Sequence, residues 1–310
     1  MILYIARKTP IPLSYIIYEA PHSIAQQSYE DPYLPGIKQF PEILKRNPKI
    51  NMDGFGIYYV DVNELERIQC TKSKYPIVVV DQEKLSIGIL LRTNLYKSIR
   101  PLVDKEIIYN MSFIRNNNFK EVNPNLSRDV QPYKYGNYLF CHNGGFNTEY
   151  SKYTSKLSKY IDPVFLAKMQ HINIDSMWIF GLLFSQINTS ASSNTDIIRT
   201  QVERFLSIMH EIKDIGFNIS LNILLSDLDQ GIHLALRYRT CKQVPPAMYY
   251  NKVHPLGYFV ASEPLDFEDG WHLMHNQLIV IRPGICKDKG GLGNQVFTSF
   301  KLDPQEIQCE

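Results

Sequence analysis

The chain lacks any long apolar run and any excess of one charge. Its longest hydrophobic stretches, such as YPIVVV (75–80) and LSIGILL (85–91), fall far short of the roughly 20 residues a helix needs to cross a bilayer. No membrane association is expected. The 33 Lys and Arg stand against 31 Asp and Glu, leaving a formal net charge of +2. The basic residues are scattered, so nothing electrostatic points to nucleic acid or anionic lipid. Cysteine is sparse. The five cysteines (Cys70, Cys141, Cys241, Cys286 and Cys309) are an odd number without C-x-x-C spacing. That excludes a disulfide framework and a zinc-finger pattern and fits a reducing, cytoplasmic compartment. The eight histidines show no metal-ligand pattern; His272 and His275 are three apart but have no evident third ligand. Neither a metal nor a cofactor is expected. Repeats and low-complexity tracts are also missing. The start, MILYIARK, carries no basic segment ahead of its apolar residues, so no secretory leader is expected.

What remains is an ordinary globular composition. Of 310 residues, 44% are hydrophobic and 21% charged, enough for one large domain or two small ones. Strands are expected at residues 2–6, at GFGIYYVDV (54–62), and at YPIVVVD, EIIYNMSFIR and NYLFCH, all rich in β-branched and aromatic residues. PIPLSYIIYE (10–19) reads as a short helix. DSMWIFGLLFSQI (175–187) is apolar all round, with Asp175 or Ser176 available as N-cap, and reads as a buried helix. In TQVERFLSIMHEIK (200–213), Val202, Phe205, Leu206, Met209 and Ile212 share one helical face. Residues 187–196, polar and rich in Ser and Thr, read as a surface loop. Strands resume at FNISLNILLSD, GIHLALRYRT, YFVASE and NQLIVIRPG, the first two joined by the hairpin signal SDLDQG. The pattern predicts an α+β chain in a single domain spanning residues 1–310, helices covering antiparallel sheets, with a peripheral tail from about residue 284.

Several short stretches carry the chemistry. YLFCHNGGFN (138–147) ends an apolar run in His-Asn-Gly-Gly. An Asn side-chain amide and a Gly backbone N–H there can converge on one oxygen, since glycine lets a substrate approach the main chain. Each donor of such an oxyanion hole is worth about 3–4 kcal/mol of transition-state stabilisation. The same residues also suit a plain tight turn. PHSIAQQS (21–28) is dense in short polar groups, NMDGFGIYY (51–59) is glycine-bearing, and a buried-looking strand runs straight into ASEPLDFEDGW (261–271).

These stretches, with FIR (113–115), IDS (174–176) and the start MILYIARKTPIPL, together resemble the class II glutamine amidotransferases. The nearest branch is the γ-glutamyl one, which includes the ergothioneine-pathway γ-glutamyl hydrolase and an amidotransferase-like subunit of a glutathione-degrading complex. The likeness runs from residue 1 to about 283. It implies an N-terminal-nucleophile (Ntn-hydrolase) fold, an αββα sandwich of two antiparallel sheets between helical layers. It implies that Asn143 and Gly144 form the oxyanion hole and that Arg115 holds a substrate α-carboxylate in a bidentate pair. It further implies that Asp175 binds the α-ammonium of a glutamyl group, and that Asp53 and Gly54 border the nucleophile pocket. Relatives of this kind work beside synthetase, transferase or peptidase subunits.

One atom is missing from this pattern. The family's nucleophile is a cysteine at position 2, exposed when Met1 is removed, with its own α-amine as base. This chain has Ile2, which has no nucleophilic atom and is too large for Met1 to be trimmed. Cys141 is close to Asn143 in sequence, but on a strand it and His142 point to opposite faces. Thr9 and Ser14 would need an internal cleavage. Two smaller departures are Met177, where relatives often carry Glu, and DVQPY (129–133), where they often carry an Asn-x-His-Pro-Phe-like stretch. The expectation is a pseudoenzyme that binds a γ-glutamyl ligand (glutamine or a γ-glutamyl peptide) or a protein partner. The alternative is an active γ-glutamyl amide hydrolase or glutaminase subunit that uses another nucleophile or start site.

Overall fold

A computed structural model describes residues 1–6, 15–27, 55–60, 93–98, 131–145, 150–169, 174–187, 189, 194–212, 219–240, 247–282 and 296–302. Asp53, Gly54 and Arg115, and the expected strands YPIVVVD and EIIYNMSFIR, lie outside the described residues. Twelve strands are described: β1 (Ile2–Ala6), β2 (Phe55–Val60), β3 (Thr93–Ser98), β4 (Tyr133–Tyr135), β5 (Tyr138–Gly145), β6 (Ser220–Asp227), β7 (Ile232–Arg239), β8 (Tyr249–Asn251), β9 (Gly257–Ala261), β10 (Trp271–Leu273), β11 (Gln277–Arg282) and β12 (Val296–Lys301). The helices are α1 (Ile24–Gln27), α2 (Thr154–Leu157), α3 (Pro163–Met169), α4 (Asp175–Gln186) and α5 (Thr195–Glu211). Every strand pair is antiparallel. The class is α+β, as expected, and no described helix is long and apolar enough to cross a membrane.

The chain forms two compact units. One comprises Met1–Pro132, Val244–Leu273 and Gly284–Asn294. Its four-stranded sheet runs β1-β9-β8-β10, and β2 pairs separately with β3. Leu3, Tyr4 and Ile5 are buried in β1, and the Tyr4 ring lies 4.8 Å from Phe259. Of the helix expected in PIPLSYIIYE, the described part is one short helical turn, Tyr15–Glu19. Within the PHSIAQQS stretch Ser23 is buried, and its Oγ accepts from Gln26 N at 3.2 Å at the start of α1. His22 N donates to Leu265 O at 2.9 Å, which ties this stretch to ASEPLDFEDGW.

Within that latter motif Asp266 is a hub. Its Oδ2 accepts from the Tyr15 hydroxyl (3.2 Å) and from His254 Nε2 (2.9 Å), and its Oδ1 from Trp271 Nε1 (3.0 Å) and Glu268 N (3.2 Å). Because Leu256 N donates to His254 Nδ1, the imidazole carries its proton on Nε2. These donors outweigh burial and hold the Asp266 carboxyl down to about 2. The Tyr15 hydroxyl is pushed up to about 12 by its own burial and by Asp266. Asp266→Ala strips acceptors from several buried donors at about 1 kcal/mol each. A loss of about 3 kcal/mol is expected, read as a fall of roughly 6–12 °C in melting temperature by circular dichroism.

The other unit comprises Tyr133–Gln243, Met274–Pro283 and Gln295–Glu310. Its six-stranded sheet has the order β12-β11-β7-β6-β5-β4. Alternation fixes which side chains meet the helices. Phe140, Leu225, Leu234 and Val280 form one register row, and all join the core with Phe180, Phe205 and Met209 from α4 and α5. The Phe140 and Phe180 rings stack at 4.7 Å. Helix α4 is buried on most sides, as its sequence requires. Helix α5 buries Ile198, Val202, Phe205, Leu206 and Met209 at 3- and 4-residue spacing. Its cap is Asn194, whose side chain accepts from Asp196 N at 2.9 Å.

Two details differ from the sequence reading. The N-cap of α4 is the extended residue Ile174, with no side-chain cap, and Asp175 is the first helical residue. There its carboxylate sits at the positive end of the helix and takes an otherwise unpaired N–H. Thr189 is buried, although residues 187–196 read as a surface loop, because its hydroxyl donates to Asp227 Oδ2. Asp227 Oδ1 in turn accepts from Asp229 N (2.9 Å) and Gln230 N (3.1 Å), which shapes the expected β6–β7 hairpin. Beyond residue 284 the described residues include the edge strand β12, paired with β11 and without a buried side chain.

Candidate functional site

The end of β5 is where the sheet, α4 and the start of β6 meet. Phe140 and His142 point to the helix side, their rings 6.3 Å apart, and His142 is buried. His142 Nδ1 lies 2.9 Å from Ser176 Oγ in the first turn of α4. Ser176 N donates to Asp175 Oδ1 at 2.7 Å. Burial pushes the His142 imidazole down to about 4, although Asp175 and the Ser220 carbonyl pull the other way. Cys141 is half-buried and opposite Leu224. It therefore faces away from His142, as strand alternation predicts.

Beyond His142 the strand opens to solvent: Asn143 and Gly144 are exposed. Gly144 has φ +134°, and a Cβ there would lie 2.0 Å from the Ser220 carbonyl oxygen and 3.3 Å from His142 Nε2. A Cβ on Gly145 would lie 2.9 Å from Asp175 Oδ2. The two glycines thus let β6 and the Asp175 carboxylate close in on the strand end. Asn143, Gly144 and Asp175 belong to one unit, and of the strand end it is Gly145 that stands against the Asp175 carboxylate.

The face that carries Asn143 is polar across several strands. Asn143 pairs with Asn222 on β6, and Asn222 with Arg237 on β7. Asn222 is fully buried. Arg237 Nη1 donates to Met274 O at 2.5 Å, and Asn276 bonds the Arg239 backbone in both directions. Burial, with Arg237 close by, draws the Arg239 guanidinium down to about 9. Sequence reasoning passed over these residues because LNILL and HLALRYR read simply as strands.

Ile2 belongs to the other unit. It pairs with Ala261 and is partly exposed. The Met1 amino group donates to Ser262 Oγ at 2.9 Å, and Ser262 N to Met1 O at 2.9 Å. Arg115, Asp53 and Gly54 lie outside the described residues. Among the described residues no group of three or more His, Cys, Asp or Glu could hold a metal ion. His142, Ser176 and Ser220 were given no role in a site from the sequence. The first two stand inside the quoted HNGG and IDS stretches, while Ser220 announces nothing until the strands are paired.

No family model and no curated protein sequence matches the chain. Among solved structures it is similar to a glutamine aminotransferase class-II domain protein from Silicibacter pomeroyi. The identity is 18%, over 69% of this chain and 88% of that one, with a TM-score of 0.47.

Proposed function

We propose that this chain is a class II glutamine amidotransferase-like protein that binds γ-glutamyl compounds and turns them over poorly or not at all. The observation that carries this reading is the strand end at Asn143–Gly144, with Asp175 Oδ2 against Gly145. The Asn143 amide and a neighbouring backbone N–H polarise the ligand's side-chain carbonyl. Asp175 takes its α-ammonium in a charge-assisted hydrogen bond. By resemblance, Arg115 takes the α-carboxylate, and Asp53 and Gly54 border the pocket. Ile2 occupies the nucleophile's sequence position, so no acyl-enzyme forms there. Binding and carbonyl polarisation alone leave about 10³-fold acceleration over water. A function through binding, alone or beside a synthetase, transferase or peptidase subunit, follows from that.

Calorimetry with glutamine, glutathione and a γ-glutamyl alkylamide tests the reading. Binding of at least one is expected. Asp175→Asn should weaken it roughly 10- to 100-fold, the worth of one charge-assisted bond. No heat with any of the three compounds would sink the γ-glutamyl pocket and leave only a scaffold role. Rapid release of ammonia from glutamine would instead favour an active enzyme with another nucleophile.

A further inference from the structure

We infer that His142 is a positioning residue: its Nδ1 takes the single proton of the Ser176 hydroxyl, and this keeps the Asp175 carboxylate fully available to a cationic ligand group at the end of β5. The inference rests on the binding reading above and assigns a role to a residue that reading leaves idle.

The argument turns on one proton. Ser176 Oγ has one hydrogen to give. It lies 2.9 Å from His142 Nδ1 and can also donate to Asp175 Oδ1 at the longer 3.4 Å; in this assignment the proton goes to the nearer group, the histidine. The Ser220 carbonyl oxygen and His142 Nε2 stand 2.0 and 3.3 Å from one point, the place of a Gly144 Cβ; the carbonyl thus flanks the Nε2 side of the ring, and the tautomer assigned is the one protonated there, with Nδ1 as the acceptor. Asp175 Oδ1 then holds only the Ser176 backbone N–H, at 2.7 Å. Oδ2 is turned toward Gly145, where any side chain would stand in its way. A hydroxyl donating to Asp175 would draw off part of the negative charge an ammonium group needs. An imidazole suits the position for a second reason. Its ring continues the aromatic row begun by Phe140 and Phe180 while presenting an acceptor that a phenyl ring lacks.

The test uses two ligands that differ only in the cation: glutamine, and 4-carbamoylbutanoate, which lacks the α-ammonium. Their affinities are measured on the full chain and on two variants. His142→Phe keeps a ring but no acceptor; His142→Asn keeps an acceptor at the Nδ1 position. His142→Phe should bind glutamine about tenfold more weakly and 4-carbamoylbutanoate unchanged, and His142→Asn should recover most of the loss. Equal loss for both ligands would mean a purely structural histidine and would overturn the inference. So would unchanged glutamine binding by His142→Phe, with the binding reading left intact. Failure of the unaltered chain to bind glutamine would remove both. Should His142→Phe not fold, imidazole nitrogen chemical shifts of the unaltered chain decide. A proton on Nε2 supports the assignment and a proton on Nδ1 overturns it.

Discussion

Gly144→Ala is expected to cost about 4 kcal/mol or more, placing it among the rare severe single substitutions. A Cβ on this residue would stand 2.0 Å from the Ser220 carbonyl oxygen and 2.8 Å from its carbon. Both are main-chain atoms of β6, so no side-chain rotation relieves the overlap. Relief requires the β5–β6 register to part where Gly144 faces Leu221 and Gly145 faces Ser220. The backbone adds its own penalty, since φ +134° is a conformation L-residues with side chains rarely adopt. Gly136 is the control. It also has a positive φ, +57°, but an added Cβ there meets nothing within 4 Å, and Gly136→Ala should cost only about 1 kcal/mol. Urea unfolding of both variants separates clash from conformation. If Gly144→Ala were no worse than Gly136→Ala, the close approach of β6 to the strand end would be wrong. Loss of ligand binding by a folded Gly144→Ala protein would further mark the bare backbone as part of the pocket.

The two long helices α4 and α5 and most strands of the described chain were legible because their signals are local. Phe205 and Met209 share a helical face by spacing alone, and SDLDQG encodes its own hairpin through the Asp227 carboxylate. Less legible was anything that depends on which strand lies beside which. Asn222 and Arg237 lie in stretches that read simply as strands, and only their register places them in a row with Asn143. VFTSF (296–300) gave no strong signal because an edge strand with no buried side chain has little apolar alternation to show. Thr189 was placed on the surface because a Ser/Thr-rich segment usually is exposed. Its partner Asp227 is 38 residues away. The resemblance picked out HNGG and IDS separately. Their meeting is a product of the fold: His142 reaches Ser176, and Gly145 makes room for Asp175. The motif ASEPLDFEDGW proved to hold a structural hub, Asp266, whose partners Tyr15 and His254 lie in separate segments.

Acid should begin to destabilise this protein above the range in which carboxylates titrate. Burial pushes the imidazoles of His142 and His233 down to about 4 and about 3, against about 6.5 for an unfolded histidine. His233 is fully buried, with Nδ1 3.0 Å from Ser226 Oγ, and the half-buried His210 is shifted the same way by the same cause. A group whose folded pKa is lowered binds fewer protons in the native state, so stability rises with pH. It is complete above about 6.5 and is lost as the pH falls, because the unfolded chain gains protons that the folded chain refuses. Two such histidines give a slope of about 2.7 kcal/mol per pH unit and a loss of about 4 kcal/mol between pH 6.5 and 4.5. The carboxylate of Asp266 behaves in the opposite sense chemically but adds to the loss. Its contribution is present above about pH 4 and disappears only as the pH falls toward 2. Urea midpoints taken across pH 7 to 4.5 should therefore fall steeply before most carboxylates are protonated. His233→Asn keeps a partner for the Ser226 hydroxyl but has nothing to titrate, and should halve the slope. A midpoint that stays level down to pH 4.5 would show that water reaches both rings, and the packing of α4 against the end of β5 would have to be looser than the 2.9 Å contact between His142 and Ser176 implies.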